Sequence, residues 1–260
     1  MKIKIWQVDA FAQEVFTGNP ACVCLLSEWL PDEVMQKIAM ENNLSETAFT
    51  IPEKEGFAIR WFTPLVEVDL CGHATLATAH IIFTETGYPK NEIKFSSKSG
   101  MLSVRKDADK LILNFPADDI QPITAEDALI NAMGFEPVEV LKGVSDYLLV
   151  YKTQSEVEKL SPDFQALAAI PVRGIIATAK GNEVDFVSRF FGPAVGVNED
   201  PVTGSAHTTL IPYWAKVLNK TEMQAIQLSE RKGWLACSFL GSRVEIGGKA
   251  VTYLQGTIEI

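Results

Sequence analysis

The feature that most constrains this chain is that it repeats itself, so whatever its first half folds into, its second half must fold into as well. Segments 93–102 and 226–235 align without a gap, with Ile93 and Ile226, Ser96 and Ser229, Gly100 and Gly233, and Leu102 and Leu235 identical. Upstream, Arg60-Trp61-Phe62-Thr63-Pro64 matches Arg189-Phe190-Phe191-Gly192-Pro193, and Pro31-Asp32 matches Pro162-Asp163. One such block can arise by chance; several in the same order indicate duplication, with short loop insertions between them. Halves of about 130 residues each are of ordinary domain size. The simplest boundary is the polar stretch Pro116-Ala117-Asp118-Asp119. It gives a first domain over residues 1–117 and a second over 118–250, with 251–260 left over and expected to return as a strand to the first.

Period gives the elements. Alternation in Leu111-Ile112-Leu113-Asn114-Phe115 and Val251-Thr252-Tyr253-Leu254 predicts strands in antiparallel hairpins, with Gly247-Gly248 as a turn after Val244-Glu245-Ile246. Helices are expected over 31–40, 74–85, 124–133, 162–169 and 205–218, the third opened by a Thr124-x-x-Asp127 capping box and stopped by Gly134. Each half is therefore α+β.

With 47% hydrophobic residues the chain can bury a core, which excludes disorder. Its formal net charge of -10 leaves no basic footprint for nucleic acid or anionic lipid, so a small-molecule partner is expected. No apolar run approaches a signal segment or membrane span, and the expectation is a cytoplasmic protein with no membrane partner. Cys22, Cys24, Cys71 and Cys237 are too few and irregular for a disulfide framework or a zinc site and read as buried thiols, Cys71 set apart by its neighbours. No metal and no cofactor is expected, since phosphate-binding glycine loops are also missing.

Asp69-Leu70-Cys71-Gly72-His73-Ala74-Thr75 and Asp200-Pro201-Val202-Thr203-Gly204-Ser205-Ala206-His207 each run from an acidic residue through a glycine into small residues that open an apolar segment. They read as equivalent turns, one per half. Unpaired N–H groups and the positive dipole end at such helix starts attract an anion, so Gly72-His73 and Gly204-Ser205 are candidate binders of a substrate carboxylate. His73 would sit in the first turn of its helix, where the dipole disfavours the imidazolium, and a neutral ring is expected. Asp200 reads either as a cap for its helix or as a polar group of the site. His80 reads as a packing residue and His207 as one that orients the second turn.

These turns, together with Asn43-Leu44-Ser45-Glu46-Thr47-Ala48-Phe49 and an opening of Val8-Asp9-Ala10-Phe11 through Gly18-Asn19-Pro20-Ala21, resemble the phenazine-biosynthesis PhzF-like family across essentially the whole chain. The resemblance implies a diaminopimelate epimerase-like fold of two pseudo-symmetric repeat domains, each a mostly antiparallel sheet or barrel around a central helix, with the chemistry in the cleft between them. It also implies Glu46 as general acid/base, His73 and Asp200 as its polar partners, Gly72, Gly204 and Ser205 as substrate-binding residues, and a homodimer.

The residues add an independent reason to single out Glu46. In the repeat it falls opposite Val172-Arg173-Gly174-Ile175, which carries no carboxylate. A glutamate needed by the fold should occur in both halves; one present only once, beside Ala48 and Phe49, suits chemistry, and burial there would disfavour its charge. A capping or surface glutamate is the alternative.

The related diaminopimelate epimerases invert a carbon with one cysteine from each half. Cys71 stands at the first such position, but Thr203 stands at the second, and a threonine hydroxyl is far too weak an acid to replace a thiol. A single base that shifts a proton, and with it a double bond, in a small unsaturated carboxylate fits better. The rivals are a metal hydrolase using Cys71, His73, His80 and His207, a nucleophilic Cys71, a racemase or epimerase, and a ligand-binding module without turnover.

Overall fold

The computed structural model describes all 260 residues, which divide into two compact units: Met1–Asn114 with Gly247–Ile260, and Phe115–Ile246. In chain order the first unit holds β1 (Lys2–Ala10), β2 (Asn19–Leu25), α1 (Asp32–Asn42), β3 (Glu46–Glu53), β4 (Gly56–Phe62), β5 (Glu67–Val68), α2 (Gly72–Glu85), β6 (Glu92–Ser97), β7 (Gly100–Asp107) and β8 (Lys110–Pro116). The second holds β9 (Gln121–Pro122), α3 (Asp127–Met133), β10 (Glu139–Lys142), β11 (Asp146–Val150), α4 (Gln154–Lys159), α5 (Phe164–Ala168), β12 (Gly174–Lys180), β13 (Phe186–Gly192), β14 (Val197–Asp200), α6 (Gly204–Leu218), β15 (Glu222–Gln227), β16 (Gly233–Phe239) and most of β17 (Arg243–Gly248). The last strand, β18 (Ala250–Glu259), runs antiparallel to β1 from Lys2↔Glu259 to Ala10↔Ala250.

Strand pairing in each unit follows one scheme. In the first, β2 and β3 are parallel, β3, β4 and β5 antiparallel in succession, β4 and β6 parallel, and β6 and β7 antiparallel. In the second, β11 and β12 are parallel, β12, β13 and β14 antiparallel, β13 and β15 parallel, and β15 and β16 antiparallel. The duplication read from scattered blocks is thus a duplication of topology.

A central helix anchors each unit. Residues 73–79 of α2 are all buried, so two full turns are covered on every side, and the helix touches β1, β2, β3, β7 and β18. On the outside of this unit, Met35, Ile38 and Ala39 of α1 pack on Ile3, Ile5, Cys22, Cys24, Phe49 and Phe62. In the second unit α6 buries Ala206, His207, Leu210, Ile211 and Trp214; Phe186 stacks on Trp214 with centroids 5.8 Å apart, and the indole N–H donates to Thr178 Oγ1 at 2.9 Å. Pro212 inside α6 has no N–H for the carbonyl of Thr208, and that carbonyl instead accepts from the Asp118 N–H at 3.1 Å.

Element boundaries depart from the sequence reading where pairing competes with helix signals. The capping box expected at Thr124 does not form: the Ile123 N–H is still bound to the carbonyl of Val140, and α3 starts at Asp127 with Glu126 as N-cap. A capping box does form at Thr153 and Glu156, opening α4, a helix too short to show in the hydrophobic period. The central helices begin slightly ahead of the expected residues, at Gly72 and Gly204. Gly247 and Gly248 end β17 instead of forming the turn itself. No helix is long and apolar enough to cross a membrane.

Candidate active site

Four side chains converge in the first unit because three backbone features place them. Gly18 adopts φ +68°, and a Cβ there would lie 2.2 Å from the carbonyl oxygen of Ala10, so this tight link between β1 and β2 requires glycine and sets Asn19 at the head of β2. Parallel pairing of Ala21 with Glu46 places the glutamate at the head of β3. The α2 N-terminus supplies Cys71 as N-cap and His73 as the second residue of the first turn.

His73 is the hub. Its Nε2 lies 3.2 Å from Glu46 Oε2, and the two atoms meet outside hydrogen-bond alignment, so the contact is chiefly Coulombic. Its Nδ1 faces the Asn19 amide at 3.3 Å and Cys71 Sγ at 3.5 Å. A carboxamide can offer its NH2 to a bare ring nitrogen or its oxygen to a protonated one, so Asn19 can serve both charge states of the ring. The His73 side chain is 7% exposed and that of Glu46 18%, so Glu46 is the member of the pair more open to solvent.

The expectation of a neutral His73 is reversed. Burial opposes the imidazolium, but the neighbouring Cys71 and Glu46 together outweigh it and move the ring well above the usual histidine range. Burial, with Glu46 adding to it, also raises Cys71, so Cys71 is a thiol near neutrality. At 3.2 Å a full carboxylate charge outweighs the half-charge of a helix end.

Donor atoms of Glu46, Cys71 and His73 lie within 4.8 Å of one another. Cys71 addresses Nδ1 and Glu46 addresses Nε2, on opposite edges of the imidazole, so one ion cannot be ligated by all three unless the ring turns.

In the second unit the expected residues gather around the start of α6. Asp200 ends β14 and accepts the Thr203 hydroxyl at 2.5 Å; Thr203, not Asp200, is the N-cap of α6, and its side chain caps none of the helix N–H groups. The α2 start is likewise uncapped by Cys71, whereas Thr153 and Asp163 cap α4 and α5 with their side chains. Gly204 is buried; Ser205 is half-buried and accepts from Arg173 Nη1 at 3.1 Å. His207 donates from Nδ1 to the Thr203 carbonyl at 2.9 Å, and burial pushes it down to about 4, leaving it neutral. His80 packs its Nε2 3.0 Å from Thr252 Oγ1, away from this chemistry.

Strand register gives the repeat counterpart of Glu46. As Ala21 pairs with Glu46 at the start of the parallel β2–β3 pair, Asp146 pairs with Gly174 at the start of the β11–β12 pair, so a glycine stands where Glu46 stands. The nearby Asp146 is buried and engaged by Arg173 through both carboxylate oxygens, Nε to Oδ1 at 2.9 Å, while its burial raises it above the usual carboxylate range despite that partner. Sequence reasoning passed over Asn19, Arg173, Asp146 and Gln227. Only Asn19 carried a signal, the Gly-Asn pair after β1.

A duplicated α+β fold with one buried helix per repeat, and polar groups at the helix starts, is of the diaminopimelate epimerase-like class. Consistent with this, a hydroxyproline epimerase from Agrobacterium vitis matches with a TM-score of 0.61 over 99% of this chain and 92% of that one, at 11% identity, a likeness of fold alone. Within that class the chain belongs to the phenazine biosynthesis-like family, PhzC-PhzF, whose pattern matches residues 8–256. A PhzF-family crystal structure from Enterococcus faecalis is 48% identical with a TM-score of 0.98, covering all of both chains. A Pseudomonas aeruginosa protein named as an uncharacterised isomerase is 51% identical over 260 residues, again the full length of both.

Proposed function

We infer that this protein is an isomerase that moves a proton, and with it a double bond, within a small unsaturated metabolite bearing a carboxylate. The observation that carries the reading is the contact of Glu46 with His73 at 3.2 Å, in one repeat only, where the other repeat has Gly174. The Glu46 carboxylate takes a proton from one carbon, the electron pair of that C–H bond spreads into the conjugated system, and the carboxylic acid so formed returns the proton to a carbon further along. Atoms and charge balance without an oxidant or a second substrate. His73, kept cationic beside Glu46, is a donor for the negative charge that develops between the two transfers. The uncapped N–H groups at the starts of α2 and α6 suit a carboxylate, and Gly72, Gly204, Ser205 and Asp200 are the residues assigned to substrate contact.

Two-base racemisation fits less well. Thr203 is a poor acid and its hydroxyl proton already points to Asp200, while Cys71 is buried and held in its thiol form. Binding without turnover remains the second reading, because uncapped helix starts hold an anion whether or not chemistry follows.

The test is proton exchange with solvent: the purified protein is incubated in D2O with a panel of small unsaturated carboxylates and followed by proton NMR. The expected result is deuterium incorporation at two carbons of one substrate, reduced at least about a hundredfold by Glu46→Gln. Exchange at the wild-type rate in that variant defeats the assignment, and binding of a panel member without exchange favours the second reading.

A further inference from the structure

We propose that Thr203 and Gln227 are positioning residues for Asp200, forming a directed hydrogen-bond chain that fixes its carboxylate as an acceptor; this rests on the reading that Asp200 serves the isomerisation. Gln227 is fully buried and uses both ends of its amide on one loop. Its Oε1 accepts the Thr203 N–H at 2.9 Å, and its Nε2 donates to the Asp200 carbonyl at 2.8 Å and to Thr203 Oγ1 at 3.1 Å. Because an NH2 group can only donate, it occupies a lone pair of the Thr203 hydroxyl, and the hydroxyl proton is left to point at Asp200 Oδ2, 2.5 Å away.

The duplication sharpens the case. In the gapless alignment of 93–102 with 226–235, Gln227 falls opposite Lys94, which is exposed, and Thr203 stands where the first repeat has Cys71. Both members of the chain therefore differ from their counterparts, and they differ so as to fit each other. A Gln–Thr pair required by the fold would recur in the first unit, as Ser96 with Ser229 and Gly100 with Gly233 do. The position of the absent second thiol thus has its own task, holding a carboxylate.

Other groups around the loop are already committed. Glu199 pairs with Arg189 at 2.7 Å, His207 is neutral on the Thr203 carbonyl, and Ser229 donates to the Pro201 carbonyl at 2.9 Å. Gly233 completes the support, since a Cβ there would lie 2.2 Å from Val202 Cγ2.

The experiment is a carbon-13 NMR titration of side-chain carboxyls in the full-length protein, with the Asp200 signal assigned by its loss in Asp200→Asn. Thr203→Val keeps the shape and removes the donor, and it is expected to move the Asp200 midpoint upward by about one pH unit. Thr203→Ser is expected to restore the wild-type curve, and Gln227→Met to shift it in the same direction as Val. An Asp200 titration unchanged in both Thr203→Val and Gln227→Met, with both variants folded by their amide spectra, overturns the proposal. Should the Val variant unfold, the Ser and Met variants carry the comparison, and a Ser curve displaced like the Met curve also overturns it. The premise fails separately: if Asp200→Asn exchanges substrate protons at the wild-type rate, Asp200 has no part in turnover, whatever the titration shows.

Discussion

At the scale of single residues, charge state follows from partners more than from position in an element. His73 occupies a helix start that favours a neutral ring, yet Cys71 beside it and Glu46 at 3.2 Å move it well above the usual histidine range against the effect of burial. Cys71 lies beside it and goes the other way, since a thiolate would face the same carboxylate in the same low-dielectric surroundings. Cys22 is raised to about 12 by burial alone, and Cys24 and Cys237 also rise. Iodoacetamide at pH 7.5 is therefore expected to leave all four cysteines of the folded protein unmodified over an hour, as read by intact mass. Alkylation of Cys71 under those conditions would show a reactive thiolate and revive it as a nucleophile. The asymmetry of Glu46 was legible in the sequence because a repeat lacking a carboxylate could be read beside one that has it. Gln227 was not, because nothing in Ile226-Gln227-Leu228 says that the amide is buried or that it reaches a loop more than twenty residues away.

Elements were legible where one signal acted alone. The buried α2 and α6 announce themselves by small and apolar residues after a glycine, and β8 and β18 by alternation. The capping box expected at Thr124 did not form, whereas one at Thr153, further along the chain, did. The strand pairing of residues 121–123 decided the first, and a tertiary hydrogen bond is not written in a four-residue pattern. The link from β1 to β2 is the element on which the site most depends, as it carries Asn19 to the Nδ1 edge of His73. Gly18→Ala must both adopt φ +68° and place a methyl 2.2 Å from a backbone oxygen. The expected cost is on the order of 2–3 kcal/mol, read as a lower urea midpoint. An unchanged midpoint would mean that the link is not held as described.

At the scale of the whole molecule, duplication followed by divergence leaves each unit with a buried histidine in its central helix, and the two respond to pH in opposite senses. His207 has a folded value of about 4 against an ordinary 6.5, so the folded chain binds its proton less readily than the unfolded chain does. The stability this contributes is complete above about pH 6.5 and is lost as pH falls toward 4, by about 3 kcal/mol at that point. His73 has a folded value well above 6.5, so its contribution is complete below about pH 6.5 and is lost as pH rises through the folded value. Stability should therefore fall away on both sides of a maximum near pH 6.5, with His207 contributing to the acid limb beside the lowered carboxylates of Asp32, Glu67 and Asp185, and His73 contributing to the alkaline limb. Melting curves of the wild type, His207→Gln and His73→Gln between pH 4.5 and 8.5 separate them. The first variant is expected to flatten the acid limb only, and the second the alkaline limb only. A His207→Gln curve parallel to the wild type from pH 4.5 to 6.5 would show that its ring is not buried neutral. A His73→Gln curve parallel to it from 6.5 to 8.5 would show that the imidazolium is not held by Glu46, and the acid/base pairing on which the proposed chemistry depends would lose its physical basis.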